Sequence, residues 1–348
     1  MPSTNVNWPP PLTRFPTLWP GQFGVPGTDH DRGERMHCTG EVFYVDPNFP
    51  GVSDRRDGTS PLNPLRTVAA ALTKVQPQRG DVIVVMGNDY WDYAPGGEGV
   101  STDYILPISE EVTIPYTASG VRIVGASPSG LGVMWQPASN AGICITNYAI
   151  DVTIEGFLFT DGDYTGCTGI YSPWNGATLF GENLTVRHCT FDDSVTTGIW
   201  LEWSWYNDIH DNVFLCGLYG VYCDPEGSGI AYSRICNNWF MNCGAGLGGA
   251  IYVPGASRCK IAHNQIYNIY AQSGAAATNE GICTGDPGTP VIGRYNLVHH
   301  NTMSCALPGG GAGDYDDFNE ADDAPPNPQT DAWIQNYCMN GPSTTIPA

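Results

Sequence analysis

Ile209-His210-Asp211-Asn212-Val213-Phe214 returns as Ile235-Cys236-Asn237-Asn238-Trp239-Phe240. It returns again as Ile261-Ala262-His263-Asn264-Gln265-Ile266 and as Val298-His299-His300-Asn301-Thr302-Met303. The aligned asparagines are 26, 26 and 37 residues apart. Weaker copies precede them at Ile154-Glu155-Gly156-Phe157-Leu158-Phe159 and Val186-Arg187-His188-Cys189-Thr190-Phe191. A fixed period of this size is the mark of a solenoid. A second phrase keeps step with the first: Gly142-Ile143, Gly169-Ile170, Gly198-Ile199, Gly220-Val221, Gly249-Ala250-Ile251 and Gly281-Ile282 each open a short apolar run. The two phrases alternate, so each turn carries at least two short strands with apolar residues at every second position. Rungs stacked about 4.8 Å apart set equivalent residues above one another. Asn212, Asn238, Asn264 and Asn301 then form an asparagine ladder at a sharp turn, where Asn is expected for its tolerance of the left-handed conformation. A leucine-rich repeat is excluded because its leucine consensus is missing. The expected fold is all-β, a right-handed parallel β-helix.

The chain has 348 residues, and since a solenoid grows by adding rungs, one elongated domain is expected. Its 43 glycines and 28 prolines fit many turns, and no apolar run approaches the roughly 18 residues of a membrane span. Lys plus Arg number 14 against 35 for Asp plus Glu, a net charge of −21. Such a surface repels phosphate backbones and argues against nucleic-acid partners, while suiting solubility, divalent cations or basic partner surfaces. Met1 to Asn7 lacks the basic and apolar regions of a secretory signal, so export by that route is not expected. The twelve cysteines show no zinc spacing. Cys216, Cys243 and Cys305 recur just after the closing hydrophobe of a rung, and Cys223 alternates in phase with Val221. They read as small buried hydrophobes in a stacked column, with inter-rung disulfides as the alternative.

Four regions follow from the patterning. Residues 1–40 are Pro-rich, an arm that docks on another surface or straps its own coil. Residues 41–90 hold an entry strand from Glu41, a short helix over Val68–Val75 with Thr67 as N-cap, and a buried strand over Val82–Met86. The helix would cover the open first rung, as a solenoid end requires. Rungs fill 91–306, with an inserted loop at 271–277. Residues 307–348 form an acidic, Pro-rich tail, expected to be irregular or to act as a contact arm.

The stretch "YVDPNFPG…DGTSPLNPLRTVAAALTKVQPQRGDVIVVMG" resembles the entry module of pectate-lyase-like right-handed β-helix proteins, in which a strand, a D-G-[ST]-x-x-x-P turn and a capping helix precede the first coil. The style is closest to β-helix proteins of bacteriophage virions. That resemblance implies a homotrimer at a virion surface, assembled in the host cytoplasm and attached to capsid or other virion proteins through the N-terminal arm. It specifies fold more than function, because this superfold carries enzymes, adhesins and inert spikes.

For chemistry, the best outward column is Trp200-Glu202 in one rung over Tyr222-Asp224 in the next. Glu202 and Asp224 would be the catalytic carboxylates of a glycan-cleaving enzyme. Trp200, Trp203, Trp205 and Tyr222 would be stacking platforms for surface glycans. Asp161, Asp163, Asp192 and Asp193 fall at equivalent turns, and oxygen-rich turns of this kind can hold Ca²⁺. No other cofactor is called for. The histidines read as rung-surface residues with no H-x-x-x-H metal pair. No arginine aligns with an acidic column as a lyase base. The favoured expectation is a non-enzymatic virion protein decorating a bacteriophage capsid or forming a spike. The alternatives are a tailspike-type glycoside hydrolase or lyase, and a glycan-binding adhesin.

Overall fold

The structure is a computed structural model. It describes residues 40–87, 108–126, 133–161, 166–174, 181–224, 229–241, 243, 249–267, 280–284, 295–304, 318–319 and 332–338. Among these, the strands form three sheets of ten, nine and eight strands. The pairing between successive coils is parallel. One coil runs through Thr185–Arg187 in the ten-stranded sheet, Thr190–Phe191 in the nine-stranded sheet and Thr197–Leu201 in the eight-stranded sheet. It then re-enters the ten-stranded sheet at Asp208–His210. The expected parallel β-helix is therefore present, with three strands to a coil. No helix among the described residues is long and apolar enough to cross a membrane.

The repeats set the core. Val186, Ile209, Ile235, Ile261 and Val298 stand in register on the ten-stranded sheet. Ile145, Ile170, Ile199, Val221, Ile251 and Ile282 do so on the eight-stranded sheet. All of these are buried. Between them Phe159, Phe191, Phe214 and Phe240 form a continuous stack, with ring centroids 4.9, 4.7 and 4.6 Å apart and planes within 12° of parallel. This stack explains the recurring glycine. A Cβ on Gly198 would lie 2.8 Å from Phe214, and one on Gly220 would lie 2.6 Å from Phe240. The eight-stranded sheet can approach the phenylalanine column only where it carries no side chain.

The asparagine ladder is present and longer than the sequence suggested. The Asn212 backbone N–H donates to Asn238 Oδ1 (3.0 Å), and its Nδ2 donates to Asn238 Oδ1 (3.1 Å) and to the Val186 carbonyl (2.9 Å). Asn238, Asn264 and Asn301 repeat the pattern, and Asn336 receives the last pair of bonds. Cys189 takes the place of Asn one rung earlier, its N–H donating to Asn212 Oδ1 at 3.0 Å. One expectation is corrected. The left-handed residue is the one before each ladder position, Cys189 included: His188, Asp211, Asn237, His263, His300 and Gln335, with φ between 52° and 58°. The asparagine is chosen for its amide, which bonds to the rung on either side. A second, unforeseen polar column holds the corner between the eight- and ten-stranded sheets. Asn207 Oδ1 accepts the Leu184 N–H, Ser233 Oγ accepts the Asn207 N–H, and Asn296 Oδ1 accepts the Cys259 N–H.

The entry module forms as expected, with a shorter helix, Val68–Leu72. Thr67 Oγ1 accepts the Ala70 N–H at 3.1 Å. Glu110, in the link between the strands Ile108–Ser109 and Val112–Ile114, accepts the N–H groups of Val68 (3.0 Å) and Ala69 (2.9 Å). The free donors of the first turn are thus tied to the coil below. Val68, Ala71, Leu72 and Val75 close the end of the core.

At the other end the coil does not stop at 306. Phe318–Asn319 pairs with Ile282-Cys283, Ala332–Ile334 with Leu297–His299, and Tyr337-Cys338 with Thr302-Met303. Part of the expected irregular tail is one more rung, built from an insertion-rich stretch whose period is hard to see. Residues 1–39, the loop at 271–277 and most of the acidic run lie outside the described residues. The nine described cysteines whose side chains are placed are buried thiols outside any disulfide, Cys216, Cys223 and Cys243 included. Among them the small-hydrophobe reading holds over disulfides, and Cys305 lies outside the described residues.

Candidate functional site

The outward face of the eight-stranded sheet carries one column, Thr146, Tyr171, Trp200, Tyr222 and Tyr252, in strand register. Ring centroids step along it at 4.7, 5.5 and 5.9 Å, and Tyr219 lies 4.4 Å from Tyr222. The strand alternation puts Ile199, Leu201, Val221 and Cys223 inside, which forces Trp200 and Tyr222 outward. Tyr171, Tyr219 and Tyr252 extend the expected platform and went unnoticed in the sequence. The signal for Tyr171 and Tyr252 was register with Trp200 and Tyr222, whereas Tyr219 pairs with Thr197.

Glu202 and Asp224 follow the paired residues Leu201 and Cys223, so they leave adjacent rungs at equivalent points. Both are half-buried. Glu202 Oε2 accepts the Trp174 N–H at 3.2 Å, and its carboxylate also bonds the Tyr171 hydroxyl. Burial, then the charges of Glu202 and Asp224, pushes the Tyr171 hydroxyl well above its ordinary range. Tyr222 is pushed the same way by burial, then Asp224. Both phenols therefore stay protonated as donors. The Trp200 indole Nε1 is buried with no hydrogen-bond partner among the described residues, an unmet donor beside the carboxylates.

Trp203 does not sit on the sheet. It lies at the corner and packs on Trp174, centroids 5.5 Å apart, with 37% and 44% of their surfaces exposed. Trp205 is exposed further along the same corner. There Tyr206 stacks on Tyr232 at 5.3 Å, and the Arg258 guanidinium lies over Tyr232 and Tyr295. The face and corner together make a half-buried strip of aromatic rings flanking two carboxylates.

Of the expected metal cluster, only part falls among the described residues. The Asp161 N–H donates to Ser194 Oγ (3.1 Å) and the Asp193 N–H to Asp192 Oδ1 (2.7 Å), and Asp163 lies outside the described residues. Burial, reinforced by Asp193, pushes Asp192 up to about 6. Among the described residues, the trio with ligand atoms all within 4.8 Å of one another is His263, His299 and His300. Sequence reading left these histidines apart because 263 and 299 belong to different repeats.

Three of the described arginines of the coil are engaged away from the carboxylate pair. Arg187 bonds Glu155 (2.9 Å), Arg234 makes a two-point contact with Asp208 (2.7 and 2.8 Å), and Arg258 bonds the Tyr232 hydroxyl.

A family model described as "Right handed beta helix region" matches residues 130–285. The fold is a right-handed parallel β-helix, as the repeats implied. No curated protein sequence matches the chain. Among solved structures, a mutant DFA-IIIase from Arthrobacter chlorophenolicus A6 in complex with DFA-III is similar at 17% identity and a TM-score of 0.46. That match covers 76% of this chain and 63% of the other, so the chain spans less than two thirds of that enzyme's length. Pectate lyase Pel9A matches at 13% identity and a TM-score of 0.39, over 86% of this chain and 77% of that one. A GH136 lacto-N-biosidase from Eubacterium ramulus matches at 10% and 0.37, over 86% and 67%. None of these three is a virion protein, and the expected virion role gains nothing from them.

Proposed function

We propose that this chain cleaves a glycan along the eight-stranded face, with Glu202 and Asp224 as the working pair. The observation that carries the reading is the placement of two carboxylates at equivalent points of adjacent rungs, inside a strip of outward aromatic rings. Adjacent strands lie about 4.8 Å apart, close to the roughly 5 Å separation of carboxyls in retaining glycosidases. Glu202 is held in place by the Trp174 N–H and the Tyr171 hydroxyl, so it takes the role of the positioned nucleophile. It attacks the anomeric carbon while the departing oxygen takes a proton from Asp224. Water then hydrolyses the glycosyl ester, giving its proton to Asp224 and freeing Glu202. Aromatic faces hold sugar rings through their apolar surfaces. Hydrolysis is favoured over elimination because, among the described basic residues of the coil, Arg187, Arg234 and Arg258 are committed elsewhere and Lys260 stands on the ten-stranded sheet, away from this face.

The test is release of new reducing ends from a panel of neutral and acidic polysaccharides, comparing the native chain with Glu202→Gln. Release that disappears in the variant supports the reading. Saturable binding without release would make this a glycan-binding module, and neither would leave the virion role to be tested by mass spectrometry of particles.

A further inference from the structure

His263 and His300 are the left-handed corner residues of neighbouring rungs, with φ of 58° and 56°. His299 is the last residue of the strand leading into the upper corner. Beneath them the ladder is fully bonded: the Asn264 N–H and Nδ2 each donate to Asn301 Oδ1 at 3.0 Å, and Asn301 does the same to Asn336. The His263 N–H donates to the His299 carbonyl at 3.2 Å. The three imidazoles thus stand on a backbone with little freedom. The rings of His263 and His300 stack at 5.1 Å, 24° from parallel, and His299 meets both nearly edge-on at 84° and 85°. The Nδ1 atoms of His299 and His300 lie 2.6 Å apart, so a single proton is shared between them.

We infer that His263, His299 and His300 form a binding site for a divalent transition-metal ion that staples two neighbouring coils. Nitrogen ligands about 2.05 Å from a tetrahedral ion lie roughly 3.3 Å from one another. The trio spans that spacing within its 4.8 Å limit. Opening the His299–His300 contact is a small rotation of half- or fully exposed rings, and the metal takes the place of the shared proton. Three imidazoles with no carboxylate in the set select Zn²⁺, Cu²⁺, Ni²⁺ or Co²⁺ over Ca²⁺ and Mg²⁺. Water fills the remaining position. The earlier corner shows the contrast. There His188 and His210 stand 6.3 Å apart, and His210 Nδ1 is taken by Asp211 at 2.7 Å.

The column supplies its own benign substitutions, because Asn237 occupies the same left-handed corner and Ala262 is paired with His299 in the sheet. The experiment is calorimetric titration of the tag-free chain with Zn²⁺ at pH 7.5, with Co²⁺ absorbance as a second readout. One equivalent should bind with a Kd on the order of micromolar and raise the melting temperature. The triple variant His263→Asn, His299→Ala, His300→Asn should melt unchanged without metal and bind at least about 100-fold more weakly. His188→Asn should bind like the native chain. Should the triple variant not fold, His300→Asn alone must still weaken binding about tenfold or more. No saturation up to about 1 mM Zn²⁺, or a variant titrating like the native chain, overturns the site, since transition-metal sites of three imidazoles bind far more tightly than that.

Discussion

The two corners of one coil are built on the same device and used for opposite ends. Between the ten- and nine-stranded sheets the corner is two residues long, as in Asp211-Asn212, and it repeats with one ladder asparagine per rung through Asn336. Between the eight- and ten-stranded sheets the connection runs over 202–207, 224–233 and 253–259 in successive coils. It too ends on a left-handed residue and a polar cap, Tyr206-Asn207 then Tyr232-Ser233. In the first corner the asparagine's bonds go to neighbouring rungs, so its length and that amide are held while the left-handed residue before it changes from rung to rung. In the second, Ser204 and Asn207 are tied into the stack, and the connection around them, whose length changes from coil to coil, carries Glu202, Trp203, Trp205 and Asp224. Stability leans on the corner of fixed length, and the glycan-facing side chains sit on the one of variable length.

If that division holds, damage to the variable corner should abolish activity while leaving the fold intact. Glu202→Gln is expected to lower glycan cleavage by about 10³-fold or more with an unchanged melting temperature. A stable variant that keeps its activity would break the comparison.

Damage to the fixed corner should do the reverse. Asn238→Ala strips the acceptor from the Asn212 N–H and Nδ2 and leaves the Ile209 carbonyl without its partner. Buried groups left unbonded cost about 1–3 kcal/mol each. A loss of about 4 kcal/mol is expected in urea unfolding, and a loss below about 1 kcal/mol would mean that the ladder is ornamental.

The coil wall offers a case with a pH signature. Glu155 is 3% exposed and bridges Arg122 and Arg187. Burial raises its pKa, but the two guanidiniums outweigh burial and hold it below its ordinary 4.5. With a lowered folded pKa, its stabilisation is complete above about pH 4.5 and fades as pH falls through the folded value. Glu155→Gln should cost about 3 kcal/mol at pH 7, since it leaves two guanidiniums without their counter-charge. That cost should shrink on acidification, as unfolding curves across pH 3–7 would reveal; a cost independent of pH would mean packing, not charge.

Gly220→Ala tests the phenylalanine stack. A new methyl 2.6 Å from Phe240 should cost about 2 kcal/mol in thermal or urea unfolding. The smallest effect expected is from Arg258→Ala on the exposed tyrosine corner, below about 1 kcal/mol in stability. A larger loss there would show that the variable corner also carries the fold.

Much of this was legible in the chain itself. The asparagine ladder, the inward isoleucines, the Gly-Ile phrase and the pairing of Glu202 with Asp224 all follow from a repeat of constant phase. What escaped notice did so where the phase is broken. The last rung, at Phe318–Asn319 and Ala332–Cys338, follows long insertions that hide its register. The second polar column alternates Asn207, Ser233 and Asn296 and presents no single letter to recognise. The left-handed position was shifted by one residue, because an asparagine can serve a turn either by its backbone or by its amide.

The sequence alone determined the coil, its three-dimensional repeat and the inward or outward sense of each strand residue, because a parallel rung is a local pattern repeated at fixed phase. Tertiary structure alone decided which residues of different rungs meet. Tyr171 reaches Glu202, Trp174 packs on Trp203, and His263 stands against His299 and His300. Those meetings depend on the length of the inserted loops between rungs, and stacking brings residues 29 to 37 positions apart into contact whatever the chain between them spells.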